Sequence, residues 1–270
     1  MPSGLMAGFQ TNWRAEGSGS RPAMFLHCSL GHSGAWGGLV RGLKDDLKII
    51  AMDLPGHGHS GPWARDLDWL DQSARMVVAL LDNFDGPADI IGHSFGGAVA
   101  VRVAIDRPDL VRSLTLAEPV IFSAAAQSGA TEYHRHIDEV GHFPALIAQG
   151  QNDAIAREFS EMWGSGVSWE NTPELQKQYV RDRIGTVVNG SPALFGIGAA
   201  SMALTDIARI DIPVLLIEGD ATHEIIPAIM NALQGCLSNV DRVVVKGAGH
   251  MVPITHACEV GKTLRAFLKL

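Results

Sequence analysis

The sequence predicts an α/β fold: a mostly parallel central sheet flanked by helices, with a helical insertion. Three observations point to it. Short runs nearly continuous in Val, Ile, Leu and Met recur along the chain, the pattern of parallel strands buried on both faces. Longer amphipathic stretches separate them, as the crossover helices of βαβ units require. One interval, from Ile121 to about Thr205, breaks the alternation with no strand-like run. The 270 residues suffice for one large domain or a core with a modest insertion. With 46% hydrophobic and 19% charged residues, the composition excludes disordered, collagen-like and coiled-coil chains.

In chain order the expected strands are Ala23–His27, Leu47–Met52, Ala88–Ile91, Leu114–Ala117, Pro213–Ile217 and Arg242–Val245. Helices are expected at Ala35–Leu43, Trp69–Asn83, Gly96–Arg107, Pro227–Cys236 and His256–Leu268. Within the interrupting interval, Glu132–Val140, Asp153–Met162 and Pro173–Ile184 carry helical periodicity. The reading is therefore a core of 1–120 and 206–270, with 121–205 inserted as a cap over one end of the sheet. That interval holds eight aromatic residues. Most should fill the interior of the cap, and Phe122, Trp163 and Trp169 are candidates to face a substrate cleft.

Charge and cysteine usage narrow the partners. Lys and Arg number 21 against 29 Asp and Glu, a net charge of −8, and no basic run offsets it. Nucleic acid and anionic membrane are disfavoured as partners. Three cysteines, Cys28, Cys236 and Cys258, have no paired spacing, which fits a reducing compartment better than a disulfide framework. The amino terminus shows no basic stretch leading into an apolar one, and no run approaches the ~18–20 apolar residues of a membrane span. A cytoplasmic protein acting on a small molecule is the expectation; oligomeric state is left open.

The strongest local signal is Gly92-His93-Ser94-Phe95-Gly96-Gly97, set between a strand-like run and a small-residue helix. Glycines two before and two after the serine permit a sharp strand-to-helix turn that lifts its hydroxyl into the open at a helix amino terminus. Ser94 is thus the candidate nucleophile. A serine hydroxyl near pH 7 needs a general base. Among eleven histidines, His250 stands out, because Gly247-Ala248-Gly249-His250 follows the last expected strand, where ligand-facing loops of an open parallel sheet collect.

From about Ala23 onward the chain resembles α/β-hydrolase-fold proteins with a helical cap. Four stretches carry the likeness: Leu26-His27-Cys28-Ser29-Leu30-Gly31, Asp53-Leu54-Pro55-Gly56-His57-Gly58-His59-Ser60, the turn at Ser94, and Gly249-His250. The resemblance implies a triad in the order serine, acid, histidine, and an oxyanion hole of two backbone N–H groups, from Phe95 and Ser29. Cys28 stands where the family usually has glycine. The family's usual G-x-x-D acid turn reads Gly219-Asp220-Ala221-Thr222, with threonine in the aspartate position. A second known location, after the strand that follows the nucleophile helix, holds Glu118. A carboxylate ending an apolar strand is costly to desolvate unless paired, so Glu118 is favoured as the acid, with Asp220 and Glu224 as alternatives.

Two look-alikes carry less. His57-Gly58-His59 has the spacing of some metal pairs but lacks further ligands, and no glycine cluster satisfies a nucleotide-binding pattern. Asp53 reads as a turn-pinning residue. The expectation is a cofactor-free, metal-free serine hydrolase, esterase-like, passing through an acyl-enzyme on a small apolar ester or related carbonyl. A carbon–carbon bond hydrolase of ring-cleavage products and a non-catalytic binding protein of the same fold are the alternatives. A dehalogenase or epoxide hydrolase of this fold would need aspartate in place of Ser94.

Overall fold

The computed structural model describes residues 1–270. In chain order the elements are β1 (Ser3–Met6), β2 (Phe9–Glu16), β3 (Arg21–Leu26), α1 (Gly37–Leu43), β4 (Leu47–Met52), α2 (Trp69–Leu81), β5 (Ala88–His93), α3 (Phe95–Asp106) and β6 (Val111–Ala117). Then come α4 (Phe122–Gln127), α5 (Thr131–Val140), α6 (Phe143–Ala148), α7 (Asn152–Trp163), α8 (Glu174–Gly190) and α9 (Leu204–Ile207). The chain closes with β7 (Val214–Gly219), α10 (Ile225–Cys236), β8 (Val240–Val245), α11 (Val252–Thr255) and α12 (Ala257–Leu268). All eight strands form one sheet in the order β1-β2-β4-β3-β5-β6-β7-β8. Pairings β1–β2 and β2–β4 are antiparallel and the rest parallel.

The central strands are the continuous apolar runs. Every residue of β5 and β7 is buried, as parallel strands covered on both faces must be. Helices α1 and α12 close one face; α2, α3 and α10 close the other. The hairpin β1–β2 goes beyond the sequence expectation. Apart from buried Thr11 its residues are partly buried or exposed and its pattern is too polar to stand out, yet Ala7 (φ 50°) and Gly8 (φ 86°) make a two-residue turn of the kind that joins twisted antiparallel strands.

Helices α4 to α9 fill the interval between β6 and β7, which contains no strand. Their buried side chains, such as Ile155, Trp163 and Ile184, merge into the same apolar cluster as α2, α3 and α10. The inserted helices therefore share the apolar core of that face rather than packing around a separate centre; a small group of Ala156, Trp169 and Val180 is the exception. No helix is long and apolar enough to cross a membrane.

Candidate active site

Ser94 sits on the bend between β5 and α3 with φ 54° and ψ −116°, a region L-residues rarely adopt. The surroundings hold it there. Its N–H donates to Ala117 O at 2.9 Å, and its carbonyl accepts from Gly97 N–H at 2.9 Å. The glycines are required by close approach: a Cβ on Gly92 would collide with the Gly96 carbonyl, and one on Gly96 with the Leu26 carbonyl. Behind the bend the Phe95 ring stacks on Trp69, centroids 3.7 Å apart, and Trp69 stacks on His57.

His250 arrives on the loop after β8, and its Nδ1 lies 2.7 Å from Glu118 Oε2, both side chains buried. Glu118 follows β6 directly, at φ 46°. Its Oε1 accepts the Gly219 N–H at 2.8 Å, and its Oε2 accepts the Thr222 hydroxyl at 2.6 Å. The other two carboxylates weighed from the sequence go elsewhere. Asp220 accepts the Gly247 N–H at 2.5 Å, joining the β7 and β8 loops, and Glu224 takes the Arg135 guanidinium on α5 at 2.6 and 3.0 Å. With Glu118 ionised, His250 carries its proton on Nδ1 and leaves Nε2 with a bare lone pair. No hydrogen bond joins Ser94 Oγ to His250 in this structure; both line one cavity. Such contacts commonly tighten only when substrate binds.

Two buried, neutral histidines shape the loop after β3. His27 Nε2 accepts the Leu54 N–H at 2.9 Å, so its Nδ1–H donates to Cys28 O at 2.7 Å. His57 Nε2 accepts the Leu30 N–H at 3.0 Å, so its Nδ1–H donates to Pro55 O at 3.1 Å. Burial pushes His27 down to about 4 and His57, with His27 nearby, to about 3. With both ring nitrogens spent, His57 has no lone pair for a metal. The Leu30 N–H is likewise spent, whereas no acceptor within the protein takes the N–H of Ser29 or Phe95. Burial pushes the Cys28 thiol up to about 12, so it stays protonated at neutral pH. Burial alone would raise the Asp53 carboxyl, but the N–H groups of Ser33 (2.6 Å) and His59 (3.0 Å) hold it below its ordinary value. Those contacts pin the turn.

Over Ser94 and His250 opens a cavity of about 510 Å³, lined mostly by apolar side chains of the inserted helices. Phe122 and Trp163 line it, and the Trp163 ring stands edge-on to His250 with centroids 4.7 Å apart. Trp169 does not. It packs against Ala156 and Val180, with the cations of Lys177 and Arg181 over its ring, so the sequence-based expectation that it faces the cleft is corrected. The groups whose chemistry and spacing come nearest to a cation site are His136, Glu139 and His223, with ligand atoms within 4.8 Å of one another.

A family model described as "Alpha/beta hydrolase family" matches residues 23–262. The chain belongs to the alpha/beta hydrolase family. Among curated members, it is 29% identical over 253 residues to the pimeloyl-[acyl-carrier protein] methyl ester esterase of Neisseria meningitidis serogroup C, covering 86% of this chain and 90% of that one. It is 42% identical over 106 residues to lipase LipV of Mycobacterium tuberculosis, covering 38% of this chain and 39% of that one. A 36% match over 126 residues to an acetyltransferase component of the acetoin cleaving system of Cupriavidus necator covers 46% of this chain and 33% of that one. The chain thus spans less than half the length of these last two relatives. Among solved structures, a putative lipase from Acinetobacter baumannii superposes with TM-score 0.79 at 21% identity, covering 99% of this chain and 90% of that one. A 2-hydroxy-6-oxo-6-phenylhexa-2,4-dienoate hydrolase from Rhodococcus superposes with TM-score 0.77 at 16% identity, covering 99% and 98%. At these identities the likeness is one of fold.

Two contributors to the site escape sequence reasoning. Thr222 is visible there only as a missing aspartate, yet it donates to Glu118. Tyr179 on α8 donates to Gly31 O at 2.9 Å and accepts from Gly58 N–H at 3.3 Å, fastening an inserted helix to the loop that carries Ser29. Nothing local signals a contact across 148 residues.

Proposed function

We propose that this protein is a serine hydrolase that cleaves esters of apolar acyl groups through an acyl-enzyme. The observation that carries the reading is the 2.7 Å contact of His250 Nδ1 with Glu118 Oε2 in the cavity that Ser94 lines. His250 Nε2 takes the Ser94 proton as Oγ attacks the ester carbonyl. The tetrahedral oxyanion is received by the N–H groups of Phe95 and Ser29, which have no competing acceptor. Each such donor contributes about 3–4 kcal/mol to the barrier reduction. Glu118 stabilises the imidazolium and fixes its tautomer without taking the proton. His250 then protonates the leaving alcohol; in the second half it draws a proton from a water whose oxygen attacks the acyl carbon and gives that proton to Ser94 Oγ as the Oγ–acyl bond breaks, releasing the acid.

The apolar lining of the cavity supports an apolar acyl group, and the longest-covering curated relative quoted above is named an ester hydrolase. A fluorophosphonate probe tests the reading. One adduct by intact mass is expected, absent in Ser94→Ala; no adduct, or one that survives the substitution, would refute it. Glu118→Gln should lower kcat by about 10³-fold or more, and Asp220→Asn by far less. The reverse order would reassign the acid.

A further inference from the structure

The cavity wall beyond Trp163 contains a polar group that the mechanism does not use. His136 on α5 lines the cavity with only 1% of its surface exposed. Its ring lies among Phe122 (4.6 Å), Trp163 (5.7 Å) and Phe195 (6.1 Å, interplanar 12°). A chain of hydrogen bonds sets its tautomer. Ile225 N–H donates to His223 Nδ1 at 3.2 Å, so the neutral His223 carries its proton on Nε2 and donates to Glu139 Oε2 at 2.9 Å. The same carboxylate oxygen takes the Nδ1–H of His136 at 3.4 Å. His136 Nε2 is left as a lone pair with no protein partner. Burial, then the neighbouring His223, pushes His136 down to about 4 and keeps the ring neutral. The two hydroxyls nearest in kind are occupied, Tyr133 donating to Phe195 O and Tyr179 to Gly31 O.

We propose that His136 is a specificity-determining residue whose Nε2 accepts a hydrogen bond from a hydroxyl or amide N–H on the acyl part of the substrate. The favoured acyl group is then not plain hydrocarbon. It carries one donor, away from the scissile carbonyl, on the part of the acyl group that reaches the wall where His136 and His250 both flank the Trp163 ring. An apolar pocket discriminates weakly between chains of similar size, whereas a buried acceptor left unpaired penalises every substrate that lacks the donor. This inference rests on the hydrolase reading for its substrate, though the subsite is testable by binding alone.

The test is a series of matched aryl esters carrying hydroxyl or methyl at successive acyl positions. The wild-type protein should favour the hydroxylated member by about tenfold in kcat/KM at one position. His136→Phe, which suits the aromatic surroundings, should bring that ratio to about one, and His136→Gln, which restores an acceptor, should recover part of it. Calorimetric Kd ratios for the same pairs on Ser94→Ala read the subsite without turnover. Failure of the hydrolase reading would therefore appear as missing turnover and missing fluorophosphonate adduct with the Kd preference intact. A wild-type ratio of one at every position, by both measurements, would overturn the proposal, as would a preference undiminished in His136→Phe. Zinc that raises the thermal midpoint of the wild type but not of His136→Phe would also overturn it, by giving the lone pair to a cation.

Discussion

Threonine at 222 donates to a carboxylate where the usual family pattern has the carboxylate itself, and that exchange has a testable consequence. Thr222→Asp does not restore an ordinary site. It sets a second negative charge where a hydroxyl now stands 2.6 Å from Glu118 Oε2, and two carboxylates that close cannot both ionise readily. We expect kcat/KM at pH 7 to fall by about tenfold or more, with the acid limb of the pH–rate profile moved upward. The double variant Glu118→Gln/Thr222→Asp should recover part of the loss; full activity in the single variant would contradict this account. Thr222→Val removes one of the two hydrogen bonds that reach Glu118 from the β7 loop and should cost about 1 kcal/mol in the barrier, read as kcat.

Among the elements, the strands carry both the best-read and the worst-read parts of the sequence. Position 94 is legible because its evidence is local: two glycines, a serine, and an apolar run before a small-residue helix. The pairing of Glu118 with His250 spans 132 residues; the strand-end position of Glu118 favours it in the sequence, but its contact with His250 exists only once β6, β7 and β8 lie side by side. The β1–β2 hairpin is lost for a different reason, since a half-exposed edge pair needs no strong apolar alternation. The opposite end of the sheet is fastened independently of the site. Asp89 on β5, 1% exposed, takes Arg21 of β3 at 2.5 and 2.9 Å and Ser113 of β6 at 2.7 Å, while Arg21 also reaches Leu268 O at 2.6 Å. Asp89→Ala strands the partly exposed guanidinium of Arg21, that of Arg112 (3.2 Å from Asp89) and the Ser113 hydroxyl. We expect a loss of about 3 kcal/mol in urea unfolding, the low end for a broken buried pair, with fluorophosphonate labelling retained by the folded fraction.

For the whole molecule, buried neutral imidazoles set the response to acid. His27 and His136 are pushed to about 4, His57 and His93 to about 3, each chiefly by burial. All are lowered from 6.5, so between about 6.5 and 4 the unfolded chain binds more protons than the folded one. The stability these groups contribute is complete above pH 6.5 and is lost as pH falls toward 4. Urea midpoints measured across that range should drop steeply with an unchanged m-value; a flat profile would mean the rings are solvated. The parts most exposed to this loss are the His27 and His57 contacts that shape the loop beside Ser94, so labelling should fail no later than global unfolding.

Where the insertion leaves the sheet, only Pro119, Val120 and Ile121 separate Glu118 from the first residue of α4. The root of the inserted helices and the partner of His250 are therefore the same few residues. Any replacement of the inserted helices would have to keep this junction in native form, since a graft that rotated α4 by a few degrees would swing the carboxylate along with it.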